Sequence, residues 1–369
     1  MKIEVLMFFY MAVCASMILF NCTVLLMNVH RKKRINKRDR RLEPQIRAQI
    51  ERLERGQELE EGHLRQINKN FKKVAYLKSF EDSMDDLRKE KPELCQKYLK
   101  ALCPCFVNAA FDYFKRDMIE ATYFAWLVRK YEIAEQENRD FWTKELRKLL
   151  RMPSVYCREN ALHIIYRMGN VQDIVNTLLL LDEHRVFHHS KLIHDGLLKF
   201  EGDKKALLEE IWRVFDQFSA DMQVTLISYM RMASAECCDR VFEVMMRPGQ
   251  DDEVYFACMR YFGKFHYMPV YPVLLGALSD RAGQRWEKAA IAAFALRNYM
   301  SERTVDVLLQ ALRSSNWYIR SNAAETLESF GLVYEDMAEV FEGNDKYAKE
   351  ILQYWMDWRL VKEGEARAL

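Results

Sequence analysis

Two groups of side chains have the composition of a reactive site. Glu183, His184, His188, His189, His194 and Asp195 fall within thirteen residues, and imidazoles beside carboxylates are the usual ligands of zinc, iron and manganese. His184 and His188 are four apart, on one face if a helix runs that far. The ligand types suit a metal-dependent enzyme but the spacing matches no metal motif, and a polar turn between helices explains the same residues. The second group is sulfur. Cys95, Cys103 and Cys105 read C-x7-C-x-C, and Cys237 and Cys238 adjoin; neither offers the paired C-x2-C spacing that tetrahedral zinc draws on. Cysteine is among the residues most often buried without chemistry, so these thiols are expected in the core. The chain also lacks G-x-x-x-x-G-K-[ST], H-E-x-x-H and G-x-S-x-G, and with them the phosphate cradle, the zincin site and the hydrolase elbow. No catalytic residue, metal ligand or cofactor is assigned, and the expectation is a protein that is not an enzyme.

The elements that must position any site are helices. Of 369 residues 50% are apolar and 30% charged, enough for a large core, while 12 Gly and 7 Pro make up about 5% of the chain against an average near 12%. So few turn-makers exclude a sandwich, propeller or barrel and leave an all-α class. The formal charge of +2 conceals a polarity. Residues 1–79 hold 17 Lys/Arg against 8 Asp/Glu, and residues 80–369 hold 39 against 46.

Residues 5–29 carry no charge, long enough at 1.5 Å per residue to cross a hydrocarbon core of about 30 Å. A collar follows at once: Arg31, Lys32, Lys33, Arg34, Lys37, Arg38, Arg40 and Arg41, with Asp39 the one acid among them. A secretory signal has its positive charge in front of a shorter apolar core and a small-residue cleavage site behind it; here the charge follows and no such site is present. The expectation is an uncleaved single-pass anchor with the N-terminus outside and the bulk in the cytoplasm, where structural disulfides are not expected. The collar would also bind anionic lipid headgroups. It lacks the aromatic interleaving of a nucleic-acid binder, so nucleic acid is not expected as a partner. Ser16, Asn21, Thr23 and Asn28 could hydrogen-bond a second membrane helix.

Residues 42–62 are charged at nearly every second position, with Ile46, Ile50 and Leu53 on one stripe, which suits a solvated spacer helix. Leu64, Ile67, Phe71 and Val74 continue the stripe, as a short coiled-coil seam or as an entry helix docking on the domain; fewer than three clean heptads favour docking. Beyond Pro92 amphipathic segments of 10–16 residues alternate with short breaks, as antiparallel helix pairs require. Two segments align without a gap at a separation of 162, Ser154–Gly169 and Asn316–Gly331, with Tyr, Arg, Asn, Ala and Gly in step. A third copy places Ala277-Leu278 and Ala289-Ala290 34 residues before Ala311-Leu312 and Ala323-Ala324. The stretch from Val305 to Gly331 resembles a HEAT repeat: a helix, a short polar turn, the hydrophobic-Arg-x-x-Ala-Ala start of a second helix, and a closing Gly. The match at 154–169 covers the second helix alone, and 273–299 departs by placing Glu287-Lys288 where hydrophobic-Arg is expected. Deoxyhypusine hydroxylase, a metal enzyme of HEAT-like repeats, uses His-Glu pairs; this chain has no His-Glu dipeptide, so that similarity stops at the fold.

The expected organisation is an anchor over 1–30, the collar over 31–41, spacer and entry helix over 42–91, a HEAT-like α-solenoid over 92–341, and a capping helix and tail over 342–369. In HEAT arrays second helices line the concave side, which makes Tyr156, Arg158, Asn160, Arg285, Trp286, Tyr318, Arg320 and Asn322 a candidate partner surface, since aromatic and Arg side chains dominate interface energetics. The same Arg positions could instead tie neighbouring turns together. The functional expectation is a membrane-anchored cytoplasmic scaffold that docks a protein partner, itself membrane-associated, as accessory to a complex that builds or exports envelope polymer. A receptor for a small ligand in the concavity and a metal-dependent enzyme using the histidine cluster are the alternatives.

Overall fold

The computed structural model describes residues 3–184, 188–279 and 285–368, with side chains for all of these but 3–6, 28–40, 136 and 359–368. Among the described residues there are helices and no strands. The chain forms two compact units, Met1–Thr177 and Leu178–Leu369. The division falls inside the segment expected as one array.

In the first unit the helices are α1 (Ile3–Glu54), α2 (Glu61–Asn70), α3 (Val74–Glu90), α4 (Pro92–Ala101), α5 (Cys103–Tyr113), α6 (Met118–Lys130), α7 (Arg139–Leu149), α8 (Val155–Met168) and the start of α9 (Val171–Glu183). α1 is one helix from the apolar stretch through the basic segment to the fold. Within it Met7–Met27 has a mean hydropathy of 2.0 and is long and apolar enough to cross a membrane. The Ser16 and Thr23 hydroxyls donate to Val13 and Leu19 carbonyls of their own helix. Collar side chains 31–40 lie outside the described ones, and Arg41 is exposed.

The solvated spacer helix expected over 42–62 is corrected in two ways: the helix ends at Glu54, and its last turns are part of the core while 54–62 stay largely exposed. Leu42, Ile46, Gln49 and Ile50 are buried where the end of α1 packs against α3 and α4. The charges that suggested solvation occupy the other faces of this helix and pair with the end of α3: Arg47 with Glu90 at 2.7 Å and Glu54 with Lys91 at 2.5 Å. A three-four stripe needs only one face for burial, so high charge density and core membership are compatible. Phe71, Phe80 and Phe106 then form a ring cluster with centroids 4.8–6.1 Å apart; the entry helix expected through Leu64, Ile67, Phe71 and Val74 is instead two helices, with Phe71 buried at the turn between α2 and α3.

The second unit holds the remainder of α9, then α10 (Ser190–Leu198), α11 (Lys204–Arg213), α12 (Ala220–Ala233), α13 (Cys238–Met245), α14 (Asp252–Phe262), α15 (Tyr271–Ser279), α16 (Trp286–Ala295), α17 (Glu302–Ala311), α18 (Trp317–Ser329), α19 (Ala338–Glu342) and α20 (Lys346–Ala368). Even-numbered helices stack in order from α10 to α20, and α13, α15 and α17 each pair with the helix that follows. Starts are set by short polar side chains accepting otherwise orphaned backbone N–H groups: Ser219 for α12, Asp251 for α14, Ser301 for α17 and Asn316 for α18. Small residues decide how close the stack comes. Ala289, Ala290, Ala292 and Ala293 of α16 and Ala323 and Ala324 of α18 are buried, and the backbones approach closely enough for Asn322 Nδ2 and Thr326 Oγ1 to donate to the Ala290 and Ala293 carbonyls, both at 2.8 Å. After α18, Gly331 takes φ +72°, the left-handed turn that ends a helix and favours glycine. The segment expected from 342 onward as a capping helix contains α20, packed on α18 through buried Ala348 and Leu352. It leaves Tyr347, Tyr354 and Trp358 exposed, whereas a cap ordinarily presents a polar outer face.

Candidate interaction surfaces

The paired sequences at 154–169 and 316–331 begin their second helices in the same way. Ser154 and Asn316 cap α8 and α18, and the Arg four residues on reaches back over the cap. Arg158 Nη1 donates to the Met152 and Pro153 carbonyls at 2.7 and 2.8 Å, and Arg320 Nη1 donates to the Ser314 carbonyl at 2.7 Å. Arg158 is 2% exposed, and burial lowers its pKa. Two residues further, Asn160 Oδ1 accepts from Arg129 Nη1 at 3.1 Å, which ties α8 to α6 as Asn322 ties α18 to α16. Arg285 precedes α16 and pairs with Asp252 of α14 at 3.0 Å, with Glu253 at 3.5 Å and with Glu287 at 3.3 Å, its guanidinium 5.2 Å from the Phe256 ring. Of the eight residues expected to form a partner surface, these five therefore hold turns and neighbouring helices together.

The aromatic members are exposed, as is Arg285. Trp286 and Tyr318 stack at 5.1 Å with an interplanar angle of 21°, and Trp317 meets Tyr318 edge-on at 5.2 Å. The Tyr347 ring lies 5.4 Å from the Arg320 guanidinium. Exposed rings at the starts of α16, α18 and α20 thus form a row in the second unit. Trp317 and Tyr347 were not among the expected residues; each follows a helix start within two residues, which was the available signal.

Tyr156 belongs to a different surface. It is 74% exposed and lines a groove of about 480 Å³ between α6 and α8, with Met118, Ile119, Tyr123, Trp126, Arg129 and Asn160 among the other walls. Asp117 caps α6 and so fixes where Met118 and Ile119 emerge. Tyr123 and Trp126 stack at 5.9 Å. Behind them, Tyr123 donates to Glu81 Oε2 of α3 at 2.7 Å, and Lys130 pairs with Glu81 and Asp85 at 2.9 and 2.6 Å while standing 4.7 Å over the Trp126 ring. Burial first, and then Glu81, raise the Tyr123 pKa, so its hydroxyl stays a donor.

α9 ends at Glu183, so His184 and His188 do not share a helix face. His184 is exposed, His189 Nδ1 accepts the Lys191 N–H at the start of α10, and His194 Nε2 lies 3.6 Å from Asp195. Among the described residues no three His, Cys, Asp or Glu side chains converge on a metal-sized position. Cys103 and Cys105 are buried and donate to the Ile133 and Leu64 carbonyls, and burial pushes the Cys105 thiol up to about 11. Cys237 accepts from Trp212 Nε1 at 3.5 Å.

Residues 271–350 match the family model of HEAT repeats, a stretch that runs from α15 into α20. Over this segment the chain is similar to HEAT repeats, and its all-α fold of stacked helix pairs is of the α-solenoid type. No curated protein sequence matches it.

Proposed function

We propose that the protein is a single-pass membrane-anchored scaffold whose repeat units dock a protein partner from the cytoplasmic side, without catalysis of its own. The observation that carries this reading is the row of exposed rings formed by Trp286, Trp317, Tyr318 and Tyr347 on a HEAT-repeat segment. Residues of these types are the common anchors of interfaces, and stacked pairs offer extended surface more readily than a cleft. The proposed location is supported by the apolar Met7–Met27 helix and the eight basic residues behind it, which favour a cytoplasmic C-terminal side and contact with anionic headgroups. From Met27 to Leu42, where packing begins, helical rise at 1.5 Å per residue gives roughly 22 Å, a short and continuous stalk. A membrane-embedded partner, such as a complex that builds or exports envelope polymer, would be within reach.

Two measurements test this. A reporter fused at residue 369 should be active in the cytoplasm; activity on the opposite side refutes the orientation. Affinity purification from solubilised membranes should recover a defined membrane protein that is lost with Trp286→Ala/Trp317→Ala and kept with Arg303→Ala. Recovery indifferent to the aromatic pair, or no specific protein at all, refutes the scaffold reading.

A further inference from the structure

We infer that the membrane segment of α1 pairs in parallel with that of a second copy of this chain, along the face that carries Asn21; this rests on the proposed membrane anchor.

The polar side chains of the apolar segment fall into two groups. Ser16 and Thr23 donate to the Val13 and Leu19 carbonyls of their own helix, both at 2.8 Å, so lipid against them leaves no hydroxyl proton unpaired. Asn21 is exposed and, among the described residues, makes no such bond. It stands four residues from Met17, the centre of Met7–Met27, or about 6 Å from mid-bilayer at 1.5 Å per residue, where the hydrocarbon extends roughly 15 Å to each side. So short a side chain does not reach the headgroups. An amide left alone in hydrocarbon is costly until it finds a partner, and membrane helices use such groups to associate.

The neighbouring residues provide a seam for it. Met7, Tyr10, Cys14, Met17, Asn21 and Val24 follow one another at alternating steps of three and four, the heptad spacing along which helices pack with a left-handed crossing in water and in membranes. The same spacing next reaches Asn28. Ser16 and Thr23 stand about 140° and 160° around the helix from Asn21 at 100° per residue, so the hydroxyls that are satisfied internally face lipid when the amide faces a partner.

A second copy is the occupant that this amide selects. Copies oriented by the same apolar run and the same collar behind it share one topology, which sets Asn21 of each at the same depth and in register. An amide is its own complement, since the carbonyl of one accepts from the NH₂ of the other and the reverse. A different helix must supply a polar group at that depth, whereas a second copy always has one. The two collars then lie side by side, a repulsion that salt and anionic headgroups screen. Paired anchors would carry two repeat segments, so a partner with two binding sites gains avidity without a new contact.

Cysteines already in the span report the pairing. Cys14 is seven residues before Asn21 on the seam, and Cys22 is about 100° away from it. Of the other seven, six are buried in the fold and Cys238 is half-buried. Full-length protein in liposomes at high lipid dilution, oxidised with copper phenanthroline and run on a non-reducing gel, should give a dimer that disappears with Cys14→Ser and persists with Cys22→Ser. Asn21→Leu should lower its yield at least fivefold, and Asn21→Gln should keep most of it. A dimer that survives Cys14→Ser, that needs Cys22, or that is indifferent to Asn21→Leu overturns the inference, as does a loss with Asn21→Gln equal to that with Asn21→Leu or no dimer at all. Carbonate extraction keeps the two readings apart: protein that stays in the membrane without forming the Cys14 dimer removes the pairing alone, and protein released by carbonate removes the anchor as well.

Discussion

Replacing Arg158 by Met keeps most of the aliphatic stem and removes every donor, so it isolates what the guanidinium does for the turn between α7 and α8. The side chain is 2% exposed and makes two hydrogen bonds to carbonyls, at 2.7 and 2.8 Å. A hydrogen bond from a charged group is worth roughly 1.5–3 kcal/mol, which sets a gross loss of at least about 3 kcal/mol. Two terms reduce it. Pro153 is exposed, so water can replace the donor to its carbonyl, and removing a buried guanidinium relieves the desolvation that lowers its pKa. The net expectation is about 2 kcal/mol, or roughly 4–8 °C in melting temperature for a unit of this size. Arg320→Met is the internal comparison: it loses one bond, to Ser314, from a half-buried position, and should cost about 0.5–1 kcal/mol. Urea titrations of the solubilised full chain, followed by circular dichroism at pH 7.5, would give both midpoints, with the slope unchanged if only stability has moved. An Arg158→Met loss within 0.5 kcal/mol of zero, or an Arg320→Met loss as large as that of Arg158→Met, refutes the claim that this Arg braces the turn.

Further outcomes follow from the same packing. His63 is buried with Nε2 2.7 Å from the Tyr98 hydroxyl, and burial lowers its pKa. Below the unfolded value of about 6.5 the unfolded chain therefore binds more protons than the folded one, so stability should hold above that pH and fall as pH drops through it; chemical denaturation from pH 8 to 5 should show a shallower fall in His63→Gln. Gly331→Ala forces a side chain onto φ +72° and should destabilise by about 1 kcal/mol, whereas Gly276→Ala, in a helix interior with open space around the added carbon, should stabilise by roughly 0.5–1 kcal/mol; melts of the two should move in opposite directions. Ala323→Leu would wedge α18 from α16 and cost about 1–3 kcal/mol, with faster hydrogen exchange at the paired residues of α16. An unchanged exchange pattern would count against the close-approach account.

The sequence alone determined the helices, because their signals are local. Three-four apolar spacing, the caps at Ser154 and Asn316 and the stop at Gly331 each act within a turn or two of chain, and the repeated Ala-Leu steps at 277–278 and 311–312 and Ala-Ala steps at 289–290 and 323–324 fall on buried positions. The apolar run over 5–29 and the charges behind it were likewise readable one residue after another. What the tertiary structure decided is which neighbour faces what. Tyr156 and Arg158 are two apart, about 200° around a helix at 100° per residue, so one stands in solvent and the other folds back onto its own turn; residue type made both look like interface anchors. Residues 42–54 looked solvated because their charges are counted along the chain, while burial depends on the one face that α3 and α4 cover. The α6–α8 groove was unreadable for a related reason. Its walls come from Met118 to Asn160 and its rings are held by Glu81 and Lys130, 49 residues apart, and no local pattern records a distance that only packing brings to 2.9 Å.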